Sequence, residues 1–200
     1  MRQGIHRIGI YPGTFNPVHA GHIAFALQVL KDAGLDAVYF MPERRPRFKR
    51  GVEHYAYRLA MLKRAVQPHP RLGVLDTDDI SFTVRRTLPH LQRRFRDSQL
   101  VLLTGSDVAP YIPTWQHAGR LLAQVELVIG LRDGNDRQTL VQNLNGWHTQ
   151  PVKSSIIESF APDVSAKQVR EGLRRRQSVR GILPSVRDYS NRHWLYVSFV

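Results

Sequence analysis

The segment at residues 9–22, GIYPGTFNPVHAGH, contains residue types that suit the binding of a phosphate group. Gly13 allows close backbone approach to a phosphate, and Thr14 and the amides that follow it can donate hydrogen bonds. His19 and His22 are three residues apart, so at the start of a helix they share one face near the positive end of the helix dipole. An anion held there would meet backbone donors and two imidazoles together.

Other interpretations of this segment are open from the residues alone. A lone His-x-x-His pair is more typical of a strand-to-helix turn that carries two solvated histidines. A metal site at His19 and His22 is not predicted, because no Glu accompanies them as in zinc-hydrolase helices and no third ligand can be named. We therefore assign no protein-bound metal. The sequence also lacks a G-x-x-x-x-G-K-[ST] loop and a G-x-G-x-x-G fingerprint.

Two later segments also carry side chains that could contact a ligand. Asp107 follows a predicted strand and could accept hydrogen bonds from ribose hydroxyls, while Trp115 offers a flat face for a pyridine or adenine ring. Ser165 can cap a helix whose next turn carries Arg170, and such a helix start can hold a second phosphate. Each has a structural alternative: Asp107 could cap a turn, Trp115 could fill the core, and Arg170 could face water.

The elements that must position these residues follow from hydrophobic patterning. Short β-branched or aromatic runs predict buried strands at 7–11, 37–41, 72–75, 99–104 and 125–130. Helical spacing predicts helices at 23–33, 55–66, 84–95, 115–123, 165–176 and 185–192. Alternating strands and helices require right-handed crossovers and a mainly parallel sheet with helices on both faces. We therefore expect a Rossmann-like open α/β sheet with a C-terminal helical appendage and a ligand at the strands' carboxyl ends.

Length and composition limit the class of protein. The chain has 200 residues, 42% of them hydrophobic, which predicts a single domain over 1–200, with an α/β core at 1–160 and a helical part at 161–200. Lys and Arg outnumber Asp and Glu by 29 to 16, so nucleotides, nucleic acids or acidic lipids would be attracted. The absence of Cys excludes disulfides and thiolate chemistry. No run reaches signal-peptide or membrane-spanning length, so we expect a soluble cytoplasmic protein without a membrane partner.

Several of these motifs together resemble a known family. GTFNPVHAGH resembles the signature of the HxGH nucleotidyltransferase superfamily. Near the carboxyl end, Val164, Ser165, Val169 and Arg170 match its Ile-Ser-x-Thr-x-Ile-Arg-like string, with Lys167 where a Thr or Ser is usual. The spacing of Gly-Ser-Asp at 105–107 to Pro-Thr-Trp at 113–115, with Ser-Phe-Thr upstream at 81–83, resembles the nicotinate-mononucleotide adenylyltransferases specifically. The resemblance spans nearly the whole chain.

The resemblance implies adenylyl transfer from ATP to nicotinate mononucleotide, giving deamido-NAD and pyrophosphate in NAD biosynthesis, with Mg²⁺ as the cofactor that accompanies ATP. The implied catalytic residues are His19, His22 and Arg170. The implied ATP-binding residues are Gly13, Thr14, Phe15, Gly105, Asp107, Ser165 and Lys167. The implied acceptor-binding residues are Phe82, Thr83, Trp115 and Lys49. The expected partners are ATP and a phosphorylated small-molecule acceptor, and the sequence leaves a homo-oligomer open.

Departures from the family pattern keep alternatives open. Asn16 replaces a common Asp, residues 11–13 are similar to the phosphopantetheine branch, and Pro-Arg-Phe-Lys at 46–49 stands where Pro-Pro-His-Lys is usual. The acceptor could therefore be nicotinamide mononucleotide or phosphopantetheine, and the nucleotide could be CTP. A noncatalytic protein that binds nucleic acid through exposed arginines is the third hypothesis, disfavoured because no recognition motif is present. Those arginines are Arg85, Arg86, Arg93, Arg94, Arg96 and Arg174 to Arg176.

Overall fold

The computed structural model describes residues 6–46, 49–131, 136–158, 164–177 and 179–197. Within these ranges the strands are β1 (His6–Gly13), β2 (Ala37–Pro42), β3 (Leu72–Val74), β4 (Ser98–Gly105), β5 (Glu126–Leu131) and β6 (Ser154–Glu158). They form one sheet in the order β3-β2-β1-β4-β5-β6, and every pairing in it is parallel. The predicted Rossmann-like parallel sheet is confirmed.

The helices cover both faces of this sheet. They are α1 (Ala20–Asp32), α2 (Tyr55–Val66), α3 (Thr87–Arg94), α4 (Ala118–Leu122), α5 (Arg137–Asn145), α6 (Ala166–Arg174) and α7 (Pro184–Arg192), with a 3-10 helix at Ala109–Thr114. In α2 the apolar residues Met61, Leu62, Ala65 and Val66 are buried at helical spacing, which turns one stripe of the helix to the sheet. Among the described residues, no helix has both the length and the apolar character needed to cross a membrane.

β4 explains why helices are needed on both sides. Its side chains alternate: Val101 and Leu103 join one buried cluster, while Leu100 and Leu102 join a second cluster on the opposite face. All four are at most 4% exposed, because successive residues of a strand point to opposite faces and both faces are covered. A strand buried on both faces has a continuous apolar run in its sequence, and this pattern predicted β4.

Among the strands and α-helices of the described residues, two were not predicted from the sequence. β6 is the edge strand and has only Ile156 and Ile157 as apolar residues, both partly buried. α5 buries only Leu140 and Leu144, one turn apart, and its remaining residues are polar except for the exposed Val141. Sequence patterning detects burial, so elements with little buried surface give a weak signal.

Two predicted helices begin later than expected. α3 begins at Thr87 rather than 84, because the Thr83 amide donates to the Thr87 hydroxyl oxygen at 2.9 Å and closes a turn ahead of the helix. α4 begins at Ala118 rather than 115, because Trp115 is extended and His117 has a left-handed backbone with φ 64°. The predictions of helix from 84 and from 115 are wrong at these starts.

The C-terminal helices pack on the same core as the sheet. Val169 and Leu173 of α6 and Val186 of α7 belong to the cluster that contains α1 and α2, and the Ser190 hydroxyl donates to the sulfur of Met61 at 3.4 Å. Both helices were predicted from the sequence, and they lie at 166–174 and 184–192. Residues 164–196 therefore contribute to the packing that supports the first loop, residues 13–19.

The start of α5 gives a pH-dependent stability prediction. The Asp136 carboxylate accepts from the Thr139 hydroxyl at 2.8 Å and from the backbone amides of Thr139 and Gln138 at 2.7 and 3.2 Å. These hydrogen bonds, the hydroxyl first, lower the pKa of Asp136 in the folded protein. A lowered folded pKa stabilises the protein above the unfolded value of about 3.9, and this contribution is lost as pH falls through the folded value.

We therefore expect Asp136→Ala to lower the melting temperature at pH 7, with a smaller difference from wild type at pH 3. Asp136→Asn keeps a hydrogen-bond acceptor without the charge, so its melting temperature at pH 7 should lie between those of wild type and Asp136→Ala. Thermal unfolding followed by circular dichroism at both pH values measures this. An equal difference at pH 7 and pH 3 would contradict the charge-dependent cap.

Candidate active site

The candidate site lies where the strand order reverses. β1 is the strand at which the chain turns from one half of the sheet to the other, with β2 on one side and β4 on the other. In open parallel sheets, ligands bind in the crevice at the carboxyl ends of the strands at this switch point. The ends of β1 and β4 here are Gly13 and Gly105, so both predicted ATP-binding segments border the crevice.

Within the first loop, residues 13–19, Phe15 restricts the backbone around it. Its backbone is left-handed, with φ 47°, and its side chain is 3% exposed. A Cβ on Gly13 would lie 2.8 Å from the Phe15 ring, so glycine is required there by the packing of that ring. The ring packs edge-on against Tyr11 and Phe40 with centroids 5.5 and 5.4 Å away. Any contact of Phe15 with ATP is therefore through its backbone.

The two histidines of the loop are brought together at the start of α1. Their ring centroids are 3.7 Å apart, and the backbone N–H of His19 donates to Nδ1 of His22 at 3.2 Å. Because Nδ1 accepts a hydrogen bond, the proton of the neutral His22 ring lies on Nε2. His19 is 2% exposed and His22 is half-buried, so His22 is the better placed of the two to donate to a ligand.

The first amide of α1 has a structural partner. The Ala20 N–H donates to the Gly181 carbonyl at 2.8 Å, so this amide is used within the protein. Gly181 has φ 86°, and a Cβ there would lie 2.2 Å from Val164. This close approach ties the helix start to the C-terminal part of the chain.

Thr14 connects the first loop to the segment after β2. Its hydroxyl oxygen accepts from Nζ of Lys49 at 2.9 Å, and the hydroxyl lies 3.4 Å from a carboxylate oxygen of Glu43. Lys49 was predicted to bind the acceptor, but its ammonium donates a hydrogen bond to Thr14, which was predicted to bind ATP. Residues 47 and 48 of the Pro-Arg-Phe-Lys string, which differs from the family pattern, lie outside the described residues.

α6 brings a cation to the same loop from a distant part of the sequence. Nη1 of Arg170 donates to the Asn16 carbonyl at 2.8 Å, across 154 positions of the chain. The predicted cap is confirmed, since the Ser165 hydroxyl oxygen accepts from the Gln168 amide at 3.3 Å and Gln168 Oε1 accepts from the Ser165 amide at 3.0 Å. Lys167 is exposed at the same helix start. Residues 161–163 lie outside the described residues.

Asn16 has a role that the sequence did not indicate. Its Oδ1 accepts from the Tyr196 hydroxyl at 2.9 Å and from the Glu53 amide at 3.2 Å, while its Nδ2 donates to the Gly51 carbonyl at 3.3 Å. A carboxylate could not make the last of these bonds. Burial raises the pKa of Tyr196, with Glu53 acting in the same direction, so the phenol stays a donor to Asn16.

Phe82 and Trp115, predicted at the acceptor side, do lie together. Their ring centroids are 6.1 Å apart at 48°, and both rings are half-buried against the second core cluster. Thr83 is engaged at the start of α3, where its carbonyl accepts from the Thr87 amide at 2.9 Å. The turn after β4 is closed by the Val108 amide on the Gly105 carbonyl at 3.0 Å, and Asp107 is exposed on it.

Arg58 is a residue of this region that sequence reasoning missed. It is 1% exposed, and its guanidinium donates to one carbonyl of the first loop and to three carbonyls of the connection between β2 and α2. Burial lowers its pKa, opposed by Tyr196, Tyr55 and Glu43. The available signal was position: Arg58 precedes Met61 and Leu62 by three and four residues, so it lies on the buried stripe of α2.

The switch-point crevice, lined by imidazoles, a hydroxyl and two cationic side chains, is the arrangement of a nucleotide-binding α/β protein. The sequence model of the cytidylyltransferase-like family matches residues 10–172. Together with the curated relatives, this match shows that the chain belongs to the cytidylyltransferase-like family, among the nicotinate-nucleotide adenylyltransferases.

The similar proteins match over nearly their full length. A probable nicotinate-nucleotide adenylyltransferase of Legionella pneumophila (strain Corby) is 30% identical over 96% of this chain and 100% of its own. The nicotinate-nucleotide adenylyltransferase of Bacillus subtilis (strain 168) is 30% identical over 96% of this chain and 99% of its own. The structure of Plasmodium falciparum nicotinic acid mononucleotide adenylyltransferase complexed with NaAD has the same fold, with a TM-score of 0.78 at 17% identity, over 96% and 97% of the two chains.

Proposed function

We propose that the chain transfers the adenylyl group of ATP to nicotinate mononucleotide, giving deamido-NAD and pyrophosphate in NAD biosynthesis. The full-length relatives are named for this activity, and a solved neighbour is complexed with NaAD. The structural observation that supports it best is the pair of adjacent imidazoles at the switch point, with centroids 3.7 Å apart and ring planes tilted by 36°. The noncatalytic nucleic-acid-binding hypothesis is not retained, because the relatives carry the names of enzymes.

The reaction is an in-line displacement at phosphorus. A phosphate oxygen of the acceptor forms a bond to the α-phosphorus of ATP, and the bond from that phosphorus to the bridging oxygen breaks, so pyrophosphate leaves with the electron pair. The attacking phosphate is already ionised at neutral pH, so a strong general base is not required. The protein's task is to position the groups and to neutralise negative charge.

The proposed roles of the side chains follow from their positions. His22 donates from Nε2 to phosphate oxygens as charge develops, with His19 holding its ring. Arg170 and Lys49 both contact the first loop and would supply positive charge for the triphosphate and the departing pyrophosphate. Asp107, Gly105, Ser165 and Lys167 remain proposed ATP contacts, and Phe82 and Thr83 remain proposed acceptor contacts.

Magnesium is proposed to arrive with ATP. Around the first loop the donors are imidazoles, a hydroxyl, an ammonium and a guanidinium, and no group of three or more His, Cys, Asp or Glu in the described residues is placed to hold a metal. This set suits phosphate oxygens, so the ion fits as a partner of the triphosphate. When bound with ATP, the ion would add positive charge to the triphosphate.

Trp115 is proposed to stack on the pyridine ring of the acceptor. Trp115→Ala should raise the KM for nicotinate mononucleotide by about tenfold, since a lost ring stack costs about 1–3 kcal/mol, and should leave the KM for ATP nearly unchanged. Trp115→Phe keeps a flat ring and should lose much less. Steady-state kinetics with each substrate varied in turn measures this. An equal rise in both KM values would reject a specific role in acceptor binding.

A panel of acceptors tests the proposed function directly. Pyrophosphate release would be measured with Mg²⁺, ATP or CTP, and each of nicotinate mononucleotide, nicotinamide mononucleotide and phosphopantetheine. The highest kcat/KM is expected for ATP with nicotinate mononucleotide. Nicotinamide mononucleotide is the second candidate, because residues 46–49 differ from the usual loop of the nicotinate branch. Preference for phosphopantetheine or CTP would overturn the assignment. The single-domain organisation, the cytoplasmic location and the oligomeric state stay predictions.

A further inference from the structure

Arg58 is a charged residue in an unusual place. It lies on the buried stripe of α2 with Met61 and Leu62, and only 1% of its surface is exposed. Removing a guanidinium from water is costly, and an apolar side chain of similar size in such a place is often at least as good for stability. The presence of an arginine at this position therefore calls for a reason other than packing.

The guanidinium of Arg58 makes four hydrogen bonds, all to backbone carbonyls. Nη1 donates to Thr14 at 2.6 Å, and Nε donates to Glu53 at 2.9 Å. Nη2 donates to Glu43 at 2.7 Å and to Arg44 at 3.2 Å. Only a planar fork with five N–H groups can serve four acceptors in this way, so a Lys ammonium would not reproduce the arrangement.

The four carbonyls belong to the two loops that border the crevice. Thr14 lies in the first loop, while Glu43, Arg44 and Glu53 lie in the connection between β2 and α2, residues 43–54. The same two loops meet again where Nζ of Lys49 donates to the Thr14 hydroxyl oxygen at 2.9 Å. All four bonds of Arg58 are thus made at the ligand edge of the sheet and none within its apolar core.

We propose that Arg58 is a positioning residue for adenylyl transfer, which fixes the 43–54 connection against the first loop and thereby places the Thr14 hydroxyl and the Lys49 ammonium beside the triphosphate. This inference rests on the proposed function. Arg58 is 1% exposed and bonds to backbone carbonyls, so its effect on the reaction would pass through the loops. A displacement of reacting groups by about 1 Å is enough to cost roughly a hundredfold in rate.

Substitution and chemical rescue test this role. Arg58→Ala and Arg58→Met should lower kcat by about tenfold to a hundredfold at a temperature where circular dichroism shows both variants folded. Millimolar ethylguanidinium should restore several-fold activity to Arg58→Ala, which leaves a space for it, and none to Arg58→Met, whose side chain fills that space. Arg64→Met is the matched control, because Arg64 is exposed on the same helix and its guanidinium lies over Tyr189, away from the first loop.

The outcomes separate this inference from the proposed function. A wild-type protein without pyrophosphate release from any acceptor in the panel would reject the function itself. An active wild type with Arg58→Ala and Arg58→Met within twofold of its kcat would reject only the positioning role, as would rescue of both variants equally. If the truncated variants do not fold, Arg58→Lys keeps the charge and the bulk but not the fork. A kcat of Arg58→Lys within twofold of wild type would then overturn the proposal, and a loss of tenfold or more would support it.

Discussion

His22→Ala is expected to lower kcat for adenylyl transfer by about two to three orders of magnitude, the scale seen when a donor to a transition-state oxygen is removed. The reason is the fixed tautomer of the ring. Nδ1 accepts the His19 amide at 3.2 Å, so Nε2 carries the proton and donates to the phosphate as negative charge accumulates. The effect should appear in kcat more than in KM, because the interaction strengthens in the transition state.

Two conservative variants test the roles of the two ring nitrogens of His22 separately. Asn places an oxygen near the position of Nδ1, so His22→Asn can keep the hydrogen bond from His19 but has no donor at the position of Nε2. Gln reaches that position with an amide N–H. We expect His22→Asn to be as impaired as His22→Ala, and His22→Gln to recover part of the activity. Near-normal turnover by His22→Ala or His22→Asn would refute the donor role.

Arg170→Ala is expected to lower kcat/KM for ATP by about tenfold to a hundredfold, since hydrogen bonds to charged groups contribute about 1.5–3 kcal/mol. The KM for ATP should rise more than the KM for the acceptor, and inhibition by added pyrophosphate should weaken in parallel. The structure supports this placement, because Nη1 of Arg170 holds the Asn16 carbonyl of the first loop at 2.8 Å. Arg170 therefore has both a positioning contact and a charge at the site.

A neighbouring arginine provides the control for Arg170. Arg174 lies on the same helix, is exposed, and pairs with Glu171 at 2.8 Å, so Arg174→Ala removes an equal charge without touching the first loop. It should leave both KM values close to wild type. Arg170→Lys should be intermediate, because an ammonium keeps the charge but not the planar fork. A larger rise in the acceptor KM than in the ATP KM for Arg170→Ala would contradict the assignment.

The sequence predicted the parts of the fold that are strongly buried. β1, β2, β4 and β5 were predicted within about two residues of their ends, because a strand buried on both faces must be apolar along its whole length. β6 and α5 were not predicted, because each buries few apolar residues. An edge strand with two partly buried isoleucines and a helix with two buried leucines leave little trace in hydropathy.

The candidate site divides in a similar way. The first loop could be identified from its own residues, because glycine, threonine and two histidines at helix spacing carry the chemistry within a few positions. Arg58, by contrast, reads in the sequence as one arginine among many in a chain of charge +13. Nothing local indicates that its fork will meet Thr14, 44 positions away.

The sequence by itself determined the family, the parallel sheet and the loop proposed to bind the phosphate, since each depends on local pattern: apolar runs, helix starts and a short motif. Only the tertiary structure decided how that loop is held. Asn16 is hydrogen-bonded to Gly51 and Tyr196, and Lys49 is hydrogen-bonded to Thr14. Arg170 of α6 donates a hydrogen bond to the Asn16 carbonyl. These contacts link residues far apart in the chain, and hydrogen bonds of that kind follow from the packed geometry and leave no periodic signal in the order of amino acids.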